Sequence, residues 1–138
     1  LEAAREVERR HPDLCRESVA RDLPFSEYMD ALRGAHVVLD QLYSYTPATN
    51  ALQTMAMGKV AVSGAEPEYY DFIEERELHP VVNVVPDDAE MVRVLENLVT
   101  DRVSLADRAA CGRQFVEKHN SAPVVTGRFM RVWEQVAR

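Results

Sequence analysis

Cysteine is scarce. The 138-residue chain carries only Cys15 and Cys111, far apart and without metal-type spacing. That excludes a disulfide framework and leaves reduced thiols in a cytoplasmic protein as the expectation. The four histidines, His11, His36, His79 and His119, include no i, i+4 pair, so no metal site is expected. No apolar run approaches the roughly 20 residues of a membrane span, and no signal peptide opens the chain. Internal repeats and low-complexity tracts are also missing. Positive charge is in deficit, with 16 Lys+Arg against 23 Asp+Glu and a net charge of −7. Such a balance lacks the basic footprint of a nucleic-acid binder and argues against anchoring on anionic lipid.

What remains is an ordinary globular composition, 46% hydrophobic and 28% charged, in a length that fits one domain with a single core. Residues 1–10 already read as helix, with Leu1, Ala4 and Val7 on one face. A domain seldom begins in mid-element, so an upstream segment is expected. Residues 14–20 read as a poor strand. Pro24 then opens a helix that ends at Gly34.

Residues 36–40, His-Val-Val-Leu-Asp, form an apolar run of strand length whose lack of alternation predicts burial on both faces. A helix over 47–57, closed by Gly58, leads to a buried strand at 60–62. A short helix over 68–75 precedes a third buried strand at 81–85, ended by Pro86. The rest reads as three helices, at 89–99, 103–119 and 123–137. Short buried strands alternating with helices predict an α/β, Rossmann-like parallel sheet covered on both faces. The expected organisation is one domain over 1–138, with 1–86 alternating and 87–138 helical. Three or four strands are few for such a sheet, so an incomplete, N-terminally truncated domain is expected.

Ligands in these sheets bind beyond the carboxyl ends of the strands, which singles out the loop Asp40–Asn50. Thr46 is a suitable N-cap and Pro47 a suitable first helical residue. The amides of Ala48, Thr49 and Asn50 would then face outward at the positive end of a helix, fit for a phosphate or a sugar oxygen. Tyr43 and Tyr45 are aromatic residues in a loop, and Asn50 and Gln53 place uncharged amides one turn apart. A second loop holds Gly64, which lets a ligand approach the backbone. Beyond it Glu68 could accept bonds from sugar hydroxyls, whereas Glu66 fits the usual preference of acids for helix starts.

Three stretches carry a resemblance: Tyr28-Met29-x-x-Leu32-x-x-Ala35-His36-Val37-Val38-Leu39-Asp40, then Met55-Ala56-Met57-Gly58-Lys59-Val60-Ala61-Val62, then Gly64-x-x-Pro67-Glu68. In order and spacing they resemble the C-terminal domain of GT-B glycosyltransferases, most closely the retaining group that includes glycogen synthase-like and sucrose synthase-like enzymes. The resemblance implies a donor domain that binds a nucleotide-sugar and moves its sugar to an acceptor hydroxyl, without metal or other cofactor. Donor-binding residues would be Tyr45, Thr46, Ala48, Thr49, Asn50, Gln53, Gly64 and Glu68, with Gln53 at the ribose and Glu68 at the sugar. Two glutamates usual in the family are replaced by Tyr45 and Gln53. The family's acceptor site and diphosphate-gripping cations lie upstream, so this segment alone is expected to be inactive and to partner an N-terminal acceptor domain. A membrane-associated acceptor is compatible with it. Two rival readings stand beside this one: a noncatalytic sugar- or nucleotide-binding or assembly module, and a response-regulator receiver domain with Asp40 as phosphoacceptor.

Overall fold

The computed structural model describes residues 1–137. It is an α/β fold whose sheet has three parallel strands in the order β1-β2-β3, with β1 at Val37–Leu39, β2 at Val60–Ser63 and β3 at Val82–Asn83. Among the described residues seven helices surround them: α1 (Glu2–Arg10), α2 (Phe25–Gly34), α3 (Thr49–Ala56), α4 (Pro67–Phe72), α5 (Asp88–Thr100), α6 (Arg102–Asn120) and α7 (Ala122–Val136).

Side-chain alternation along β2 divides the interior into two. Val60 and Val62 face a cluster with Ala3 and Val7 of α1, Val82, Val84, and Met91, Leu95 and Leu98 of α5. Ala61 faces the other way, into a cluster with Ala51, Met55, Tyr70, Val81 and Phe115. Successive strand residues point to opposite faces, so a continuous apolar run needs helices on both sides, and both sides are covered. The arrangement is consistent with a Rossmann-like layout. Gly112 lets α6 cross close over α3: a Cβ there would sit 3.1 Å from Met55 Cγ.

Several expectations are corrected. Residues 14–20 form no strand; Arg16 and Glu17 interrupt the apolar pattern, and the stretch is irregular. β1 is not buried on both faces but half-covered, with Leu39 38% exposed, because it lies at the sheet edge with a neighbour only on the β2 side. The helix expected over 47–57 begins at Thr49, with Ala48 as N-cap and no side-chain cap, so Thr46 does not cap it and Pro47 lies outside it, buried. It ends at Ala56 with Met57 as C-cap, one residue short of the expected end, and Gly58 follows with a φ of +69° that suits glycine. β3 spans two residues rather than five. α4 stops at Phe72, and the chain turns through Glu74 at φ +56°. The face of α7 expected to be core contributes no buried residue, and Trp133 is 62% exposed. Among the described residues no helix is long and apolar enough to cross a membrane.

Candidate functional site

The site is built from two loops at the carboxyl ends of β1 and β2. Each is stitched to the other by main-chain hydrogen bonds. Asp40 N–H donates to Val62 O at 2.9 Å, carrying the β1–β2 ladder one residue past the strand. Gln41 O then accepts from Gly64 N–H at 2.9 Å and from Ser63 Oγ at 3.1 Å, and Tyr45 O accepts from Glu66 N–H at 3.0 Å. Ser44 closes its own turn, with Oγ donating to Thr46 O at 2.7 Å.

Gly64 is required here, but by the protein itself. A Cβ on it would lie 1.5 Å from Ser44 O, so its bare Cα accommodates the first loop, and the open approach to a ligand expected at this glycine is taken by Ser44.

The amides of Ala48, Thr49 and Asn50 find no acceptor among the described residues; the first helical bond runs from Leu52 N–H to Ala48 O at 3.1 Å. They sit at the positive end of α3, beside Thr46 and Thr49, both exposed, and Tyr45, 79% exposed. Hydroxyls, an aromatic face and unpaired donors are thus brought together.

The two side-chain amides behave differently. Asn50 Nδ2–H donates to Asp40 Oδ1 at 3.0 Å, and Tyr28 O–H donates to Asn50 Oδ1. Asn50 therefore ties α2 and the end of β1 to α3. Burial, and then the charge of Asp40, push the Tyr28 phenol upward from its ordinary value. Asp40, weighed above as a phosphoacceptor, keeps Oδ2 buried without a partner. Gln53 turns toward α2, with Nε2 3.0 Å from Met29 Sδ. Glu68 is exposed at the start of α4 with no hydrogen-bond partner among the described residues.

Two open clefts flank this platform. One, of about 460 Å³, lies between Leu42–Tyr43 and the start of α5 at Pro86, Asp87 and Asp88. The other, of about 380 Å³, runs along β3 and α4 past Ala65, Tyr70, His79 and Asn83. None of the eight expected donor-binding residues lines either cleft. Tyr45, Thr46 and Thr49 are exposed and Ala48 half-buried, Asn50, Gln53 and Gly64 are committed to internal contacts, and Glu68 is exposed on α4.

Sequence reasoning missed Tyr28, Gln41 and Asn83 as members of this platform. Asn83 alone carried a signal, as the one polar residue within the run Val81–Val85. The chain matches no family profile, and no curated protein or solved structure is significantly similar to it.

Proposed function

We propose that the chain is the donor-binding domain of a glycosyltransferase, holding a nucleotide-activated sugar at the start of α3. The observation that carries the reading is the set of three acceptor-free amides at Ala48, Thr49 and Asn50, next along the chain to the exposed Thr46 and Tyr45. Fixed N–H donors at a helix start stabilise anionic oxygens without rearrangement. That serves a reaction in which a nucleoside diphosphate departs as negative charge develops on its bridging oxygen. Tyr45 offers an aromatic face to a sugar or base. The likeness of residues 28–68 to GT-B donor domains points the same way, and the acceptor would be held by a further domain.

Isothermal calorimetry with UDP-glucose, GDP-mannose and ADP-glucose tests it. One of the three binds the wild-type chain, and Thr49→Trp, which fills the space before the free amides, abolishes the heat. Equal affinity in that variant would move the site elsewhere.

The internal use of Asn50 and Gln53 favours a second reading, a noncatalytic binding module. Transfer of sugar by the full-length protein, with its acceptor domain present, separates the two: the module gives binding without turnover even there.

A further inference from the structure

We infer that Asn83, the last residue of β3, is a positioning residue for this platform. The inference rests on the donor-site reading for what is bound, but not for how the loops are held.

Three successive amides of the second loop are all engaged. Gly64 N–H goes to Gln41 O at 2.9 Å and Glu66 N–H to Tyr45 O at 3.0 Å. Between them, Ala65 N–H goes to Asn83 Oδ1 at 2.8 Å. In extended chain, alternate amides point to opposite sides. The first and third therefore pull toward the loop after β1, and the second pulls toward β3. The partner of an N–H must be the oxygen of the side-chain amide, which fixes the orientation of Asn83.

Ser63 and Asn83 are already opposite one another in the parallel ladder. Past them β3 ends, and the Asn83 side chain supplies the rung that main chain no longer provides. Asn83 is exposed and lines the second cleft together with Ala65, so cutting its side chain back leaves mobile water as the replacement acceptor. Water holds an amide less firmly than an acceptor fixed on the neighbouring strand. With Asn83 truncated, the second loop is anchored from one side only. Its grip on Gln41 and Tyr45 then sets the pose of Thr46–Thr49 less firmly.

Hydrogen exchange and calorimetry on wild type, Asn83→Ala and Asn83→Asp test the inference. A carboxylate keeps the acceptor, so Asn83→Asp is the conservative rescue. Asn83→Ala should speed exchange of Ala65 and also of Gly64 and Glu66 by about tenfold. It should weaken the bound nucleotide-sugar by a similar factor, and Asn83→Asp should restore exchange to within about threefold. The inference is overturned if only Ala65 exchanges faster while its two neighbours keep wild-type protection, since Asn83 would then satisfy one amide and position nothing. It is equally overturned if Asn83→Asp fails to restore protection. If the wild-type chain binds none of UDP-glucose, GDP-mannose and ADP-glucose, the donor-site reading falls, while the exchange comparison still decides the role of Asn83.

Discussion

His119 Nε2 stands 2.5 Å from Glu75 Oε2 inside the protein, joining the last turn of α6 to the segment between α4 and β3. Glu75 is 1% exposed. Lys118 Nζ approaches the same oxygen at 2.8 Å, and Oε1 accepts from the amides of Glu77 and Leu78 at 2.9 and 3.0 Å. A carboxylate so deep survives only because each oxygen is paired.

Breaking that arrangement has a defined cost. Glu75→Ala leaves His119 and Lys118 facing an emptied site and frees two loop amides. Removing one partner of a buried pair destabilises by about 3–5 kcal/mol. Urea unfolding at neutral pH measures it, and a loss under 1 kcal/mol would mean the cluster is dispensable.

The same cluster sets an acid limit. Burial pushes the Glu75 carboxyl up, but the bonds from His119, from Lys118 and from the two amides outweigh it and hold it well below its ordinary 4.5. The folded value is therefore depressed. Its stabilisation is complete above about pH 4.5 and is lost as pH falls toward the folded value. The stability gap between wild type and Glu75→Gln should accordingly be widest near neutrality and shrink steadily below pH 4.5. A gap that widens with acid would contradict this assignment.

Gly64→Ala tests the seam between the two loops. With Ser44 O 1.5 Å from the new Cβ, the main chain must move, and forced overpacking costs typically about 1–3 kcal/mol. Thermal unfolding should show the loss, accompanied by faster exchange at Gly64 and Glu66. Wild-type stability would place the loops farther apart than described.

Gly112→Ala sets two effects against each other. Alanine gains about 1 kcal/mol of helix propensity over glycine, while its Cβ would meet Met55 Cβ and Cγ at 3.2 and 3.1 Å. Met55 is fully buried and has little room to yield, so the packing cost wins and the variant melts lower. A higher melting temperature would show that Met55 repacks freely.

Tyr28→Phe removes the donor to Asn50 Oδ1 and should cost about 1 kcal/mol. In wild type, ultraviolet titration should find the phenols of Tyr28, Tyr69 and Tyr70 ionising above the ordinary value of 10, and the one missing from Tyr28→Phe is the Tyr28 transition. Asp40→Asn, which takes away the neighbouring charge, should lower that transition. An unchanged transition would exclude Asp40 as a cause.

The central architecture was legible because the apolar run at 60–62, the valines of 81–85 and the helical spacing of Met91, Leu95 and Leu98 are local patterns, and all of these but Val85, which is 42% exposed beside the exposed Asn83, lie in the core. The start of α3 was misplaced by two residues because Thr46 and Pro47 suit a helix start by type, yet Tyr45 O is engaged by Glu66 and holds the preceding turn in the loop. The exposure of β1 depends on its being an edge strand, which residues 36–40 do not reveal. Free amides were expected at Ala48–Asn50 from a helix starting at Pro47; with the start at Thr49, helix geometry itself accounts only for those from Thr49 onward. The capture of Asn50 by Tyr28 and Asp40, and the pairing of Glu75 with His119, join residues distant in sequence, so no local pattern announces them.

The strands themselves are brief, three, four and two residues long. So short a ribbon cannot persist without its flanking layers, because few inter-strand bonds exist to hold it and its side chains are shared between two separate helical coverings. Amides at Val60, Val62 and Val82 should therefore open only together with α5 and α6, as one cooperative unit rather than by fraying from an edge.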